Sequence, residues 1–174
     1  KPIINSISGE DSRLKNIIPL VKKHGCQVIA LILDESGIPN GVEGRLAIAR
    51  RIMEHTRQNG LNDEDIYLDP LVLSIATDTA SALTVLDSVR AISTEFPAVR
   101  FIIGLSNISF GLPARSYINQ VFLVLALEAG INAAIIDPLD RWLSGTILAA
   151  ELLLNRDRFC QNYTRAYRAG RFGV

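Results

Sequence analysis

Imidazoles and thiols are scarce in this chain: its 174 residues include two histidines and two cysteines. Cys26 and Cys160 fit no CxxC or Cys/His ligand spacing, and two cysteines are no disulfide framework for a domain of this length. They read as core or surface thiols. His24 and His55 fall late in helical patterns, away from any strand end. Zinc hydrolysis and a Ser-His-Asp triad are therefore poorly supported, and no residue is assigned to a metal. An excess of either charge is also missing: 18 Lys and Arg balance 18 Asp and Glu. Nothing favours a phosphate backbone or an anionic membrane surface, so neither nucleic acid nor membrane is expected as a partner. Pro, Asp or Asn interrupts each apolar stretch before the ~20 residues a bilayer needs, and no basic, apolar, small-residue leader opens the sequence. The expectation is a soluble, cytoplasmic protein. No P-loop and no strand-GxGxxG-helix context occurs, so nucleoside triphosphate chemistry is not indicated.

What the chain does have is hydrophobic residues, 48% of the total, enough for a substantial core. Short β-branched runs alternate with longer helical periods, the pattern of βα units and a parallel sheet. Five strands are expected: Pro2 to Ile7, Val28 to Leu33, Ile66 to Leu68, Phe101 to Gly104 and Ala133 to Ile136. Between them the periodicity predicts helices over about 10–24, 45–58, 79–95 and 117–128, and two more over about 140–154 and 157–168. Gly25, Asn59-Gly60 and Gly130 act as stops. Thr or Ser is expected to cap the helix that begins near 79. No low-complexity tract or linker divides the chain.

Polar or helix-breaking residues follow each strand, at the end where parallel barrels and doubly wound sheets carry their sites. The set is Asn5 and Ser6, Asp34, Asp69, Ser106 and Asn107, then Asp137 and Asp140. It is rich in amides and carboxylates and holds no strong nucleophile, metal cluster or phosphate cradle. Amide and carboxylate side chains together offer the donors and acceptors that suit the amide-like edge of a flat heterocycle. Each also has a plainer use. Asp-Pro after a strand is a common turn device at Asp69 and Asp137, Asn5 can satisfy backbone groups, and Ser106 and Asn107 are ordinary turn formers. Trp142, Phe159, Tyr163 and Tyr167 read as packing of the last helices.

Three segments in order carry a resemblance: PIINSISGE at 2–10, IYLDPLVLSIATD at 66–78, and GLSNISFGLPARSYINQVFLVLALEAGINAAIIDP at 104–138. They resemble the pterin-binding methyltransferases that take a methyl group from methyltetrahydrofolate and pass it to a corrinoid protein. The likeness extends over essentially the whole chain, including LLLNRDRFCQNY near the end. It implies an α/β fold, a TIM-type (β/α)8 barrel like that of dihydropteroate synthase, of which residues 1–174 supply strands four to eight. An eight-stranded barrel takes about 250 residues, so the N-terminal strands are expected to lie outside this chain. The resemblance implies that Asn5 and Asp69 hydrogen-bond the pterin and that Asn107 is catalytic, donating to N-5 as the methyl group departs. Ser6, Ser106, Arg115 and Asp137 complete the expected substrate-binding set. The nucleophile is the cobalt of a reduced corrinoid (cobalamin) carried by a partner protein, and a homodimer is expected.

The family places one more pterin-contacting aspartate on a strand that precedes these residues. Phe110 and Ser116 stand where the acetogenic enzymes differ. Dihydropteroate synthase is the nearest rival, but it usually has Asn-Asp in place of Asn5-Ser6, Lys in place of Asn107, and Arg-x-His in place of Asp137-Pro138. A non-catalytic folate-binding module is the alternative from a different class.

Overall fold

The structure, a computed structural model, describes residues 1–173. Strands β1 (Ile3–Ser8), β2 (Gln27–Leu31), β3 (Ile66–Asp69), β4 (Arg100–Gly104) and β5 (Ala133–Ile135) alternate with helices α1 (Asp11–His24), α2 (Gly41–Gln58), α3 (Ser81–Glu95) and α4 (Arg115–Ala129). After β5 come α5 (Arg141–Leu153) and α6 (Gln161–Arg168). All four strand pairs are parallel, in the order β1-β2-β3-β4-β5. A strand order that never reverses, with the right-handed crossovers that parallel strands take almost without exception, sets every connecting helix on the same face. That is the winding of a barrel wall and not of a doubly wound sheet, which must reverse its order. Among the described residues the sheet is open, with β1 and β5 at its edges.

Register separates the two faces. Val28, Ala30, Ile66, Leu68, Phe101 and Ile103 face the helices and are almost wholly buried. They pack against Leu14, Ile18 and Val21 of α1, Ile48, Ile52 and Met53 of α2, Val85, Val89 and Ile92 of α3, and Phe122 and Ala126 of α4. Continuous apolar strands of this kind arise when one face meets helices and the other lines a barrel interior. The opposite face is more polar. Asn5, Ile29, Tyr67 and Arg100 form one row across four strands, and Leu31 and Asp69 stand in the next.

The sequence reading placed all five strands and the helices between them within a few residues. It located α2 late: the helix begins at Gly41, so the preceding segment is shorter than the expected loop. Side-chain capping of α3 is corrected. The residue before it is Ala80, with no side-chain cap, because the Ser81 hydroxyl donates instead to the Leu73 carbonyl at 2.8 Å. β1 runs on to Ser8, so Asn5 and Ser6 lie within the strand and not at its end. The last helical stretch is split by Phe159 and Cys160, both in the left-handed region. No helix of the described residues is long and apolar enough to cross a membrane.

Candidate active site

Asp69 ends β3 on the face turned away from the helices, one row beyond Asn5 and two strands across from it. At about 4.8 Å between strands this is a lateral span of ~10 Å, within which two side chains can reach opposite edges of a bicyclic ring. The register between β1 and β2 slips between Asn5 and Ile7, which leaves Ser6 in the bulge, and the Asn5–Ser6 peptide is cis. Asn5 is exposed on the uncovered face and Ser6 is half-buried.

The Asp69 carboxylate is held from its own chain. Its Oδ1 accepts the Leu71 N–H at 2.8 Å, with Leu71 at φ 61°, a left-handed conformation that a branched L side chain adopts at a cost. Burial raises the Asp69 carboxyl from 3.8 to about 6, against the lowering effects of the Leu71 N–H and of the Arg45 charge. Arg45 itself is 3% exposed, and neither its Nε nor its Nη1 has a hydrogen-bond partner.

Beyond β4 the chain tightens into a 3-10 turn, Leu105–Ser109, that carries Asn107. A Cβ added to Gly104 would lie 3.1 Å from Asn107 Nδ2 and 3.8 Å from its Cγ. Gly104 is in register with Ile135 on β5, and by strand alternation its missing side chain points to the same face as Asp69. The Asn107 amide therefore leans back over the uncovered face at the strand ends. Arg115 braces this turn: Nη2 donates to the Ser106 carbonyl at 2.6 Å and Nε to Ser109 Oγ at 3.0 Å. Ser109 Oγ in turn donates to Asn119 Oδ1 at 2.7 Å. The Arg115 guanidinium also lies 5.9 Å from the exposed Phe110 ring.

The segment after β3 and the turn after β4 are tied together. Ile75 N donates to the Ile108 carbonyl at 3.0 Å, and Ser74 Oγ to the Phe110 carbonyl at 2.6 Å. Asp137, after β5, turns its Oδ1 to the Leu139 N–H at 2.9 Å. Asp140 caps α5, accepting from the N–H groups of Trp142 and Leu143. Asp34 closes a tight turn through Ser36 N and lies 3.9 Å from Arg51. The fold thus sets Asn5 and Asp69 on one face of the sheet, with Asn107 leaning toward that face from the turn after β4, whereas Asp137 follows β5 and Arg115 bonds to the turn behind Asn107.

The pterin binding enzyme family matches residues 1–137. The chain belongs to that family. Its relatives include the methylcorrinoid:tetrahydrofolate methyltransferase of Eubacterium limosum, 35% identical over 173 residues and 98% of this chain. They also include the methionine synthases of Mycobacterium leprae (37% identical, 77% of the chain) and Mycobacterium tuberculosis (35%, 76%). The chain spans 64% of the length of the first and 12% of each of the others. As a member of that family it carries its polar residues where a barrel wall presents them. Three residues that bear on the site went unnoticed in the sequence: Arg45, Ser74 and Gly104. For Arg45 a signal existed, because it stands on the stripe of Ala49, Ile52, Met53 and Thr56 that α2 buries.

Proposed function

We propose that this chain carries the folate site of a methyltransferase that moves the N-5 methyl group of methyltetrahydrofolate to the cobalt of a reduced corrinoid on a partner protein, or runs the reverse transfer. The observation that carries the reading is the Asn107 amide leaning over Gly104 on the face that holds Asp69. The methyl transfer for which the Eubacterium limosum relative is named supports the same chemistry.

Asp69 supplies a carboxylate for the N–H donors of the amino-pyrimidinone edge, and Asn5 reaches the ring from two strands away. Ser6, Ser106 and Asp137 surround the ligand with further polar groups, and Arg115 holds the turn that presents Asn107. In the transfer the C–N bond at N-5 breaks, its electron pair stays on nitrogen, and the methyl carbon bonds to cobalt using the metal's electron pair. N-5 would leave as an anion without a proton, so one proton is taken up from solvent as the bond breaks and the product carries N-5–H. Asn107 donates to N-5 as that charge develops, an interaction stronger in the transition state than in the ground state. No protein nucleophile is needed, in keeping with the residue set. The corrinoid is a substrate delivered by its own protein. Two free thiols suit the reducing cytoplasm, and the chain works there as a homodimer on this reading.

The test follows methyl transfer from methyltetrahydrofolate to a reduced corrinoid by absorbance, in the full-length protein and its Asn107→Ala variant. Loss of about 10²-fold or more in kcat with folate binding kept is the expected result. A wild-type protein that binds the folate but transfers nothing, even with corrinoid proteins supplied, is instead a folate-binding module.

A further inference from the structure

We infer, on the methyl-transfer reading above, that Asn119 of α4 is a positioning residue that aims the Asn107 amide, acting through the Ser109 hydroxyl and Arg115. Asn119 stands one turn before Phe122 and Leu123 on the stripe that α4 buries, where an apolar side chain would ordinarily pack. Its Oδ1 accepts the Ser109 hydroxyl at 2.7 Å. Ser109 is wholly buried, so water does not compete for that proton.

A hydroxyl has one proton and two lone pairs. Ser109 Oγ also lies 3.3 Å from the Ser106 carbonyl, and the shorter contact to Asn119 takes the proton. The lone pairs are left for Arg115, whose Nε donates to Ser109 Oγ at 3.0 Å while its Nη2 donates to the Ser106 carbonyl at 2.6 Å. Arg115 and Asn119, four residues apart, share one face of α4, so the helix grips the turn through both. The carbonyl that Arg115 holds belongs to the peptide joining Ser106 to Asn107. That peptide sets where the Asn107 side chain leaves the backbone, and its Nδ2 packs too closely over Gly104 to leave room for many other settings. Without an acceptor at 119, the Ser109 proton turns to the Ser106 carbonyl. Closing 3.3 Å to an ordinary O–H···O length pulls that peptide by about 0.5 Å and turns a lone pair away from Arg115.

The experiment uses the full-length protein as wild type, Asn119→Leu and Asn119→Asp, each also combined with Asn107→Ala. Asn119→Leu keeps the volume and loses the acceptor, whereas Asn119→Asp keeps the acceptor. Methyl transfer to a reduced corrinoid gives kcat, and equilibrium dialysis gives methyltetrahydrofolate affinity. The Asn107 side-chain amide resonances, assigned by their loss in Asn107→Ala, are read without ligand. Asn119→Leu is expected to lower kcat about tenfold with folate affinity unchanged, and Asn119→Asp to keep most of the rate. In the Asn107→Ala background, Asn119→Leu should change the residual rate by less than about twofold, because a residue that acts through Asn107 has nothing left to aim. The amide resonances shift in Asn119→Leu and stay near wild type in Asn119→Asp. Wild-type turnover in Asn119→Leu overturns the proposal. So does an equal fold loss with and without Asn107, or a loss that Asn119→Asp shares, each of which assigns the effect to packing, and so does failure of both variants to fold. If the resonances move as expected but the wild-type protein transfers no methyl group, Asn119 still positions Asn107 and the transferase reading falls.

Discussion

Burial lets Asp69 keep its proton up to about pH 6, against 3.8 for an ordinary aspartate. Between those values the folded chain binds a proton that the unfolded chain has released. The stability this confers is fully present below 3.8 and lost as pH rises through about 6. A fully buried group with this shift would cost about 3 kcal/mol at neutral pH. Asp69 is half-buried, and screening leaves ~1–2 kcal/mol. Asp69→Asn keeps an oxygen for the Leu71 N–H and removes the charge. Its denaturant midpoint should exceed that of wild type at pH 7.5, the difference should close by pH 4, and folate binding should be lost. An Asn variant with the same advantage at both pH values would show that burial of this charge is not what destabilises the folded chain. Gly104 belongs at this scale too. It reads in the sequence as an ordinary strand end, and only the 3.1 Å approach to Asn107 reveals why a side chain is excluded.

Among the elements, the two that follow β3 and β4 bear on chemistry most directly, because one carries the Asp69 that would fix the ring and the other the Asn107 that would act on it. Ser74 stands between them: its hydroxyl donates to the Phe110 carbonyl at 2.6 Å and accepts from Ala76 N at 3.1 Å. Ser74→Ala removes one of the two bonds that fix the turn against the segment, the other being Ile75 N to Ile108 O. The expected result is a kcat about two- to fivefold lower with KM nearly unchanged, since the ring is still held while the amide is less well aimed. An equal rise in KM would mean that the segment serves binding instead. Hydrophobic period made the βα elements legible, because strand and helix leave different periods in Val28–Leu31 and in Leu14, Ile18 and Val21. The stitch through Ser74 was not legible, since a hydrogen bond between residues 36 apart leaves no local pattern. The Thr or Ser cap on α3 was misjudged for a related reason: Ser81 looks like a cap until the Leu73 carbonyl competes for its hydroxyl.

At the scale of the whole molecule, strand order was the part no periodicity could give, and it decides between a barrel wall and a doubly wound sheet. The same order fixes which surface of each helix is left outward. α4 buries Phe122, Leu123, Ala126 and Ala129 and turns Tyr117, Val121, Val124 and Leu125 outward, 74%, 62%, 36% and 45% exposed. Single exposed apolar residues are ordinary, but four at i, i+4, i+7 and i+8 make a stripe that water disfavours. A second copy applying the same stripe about a twofold axis would cover it without leaving an open end. Light scattering of the full-length protein should then give two chains per particle. Val121→Glu with Leu125→Glu should give one, with folate affinity unchanged, because the stripe lies on the helix side and the ligand face is opposite. A wild-type protein that is already monomeric would mean that another part of the same polypeptide covers α4, and the double variant would then lose stability instead of a partner.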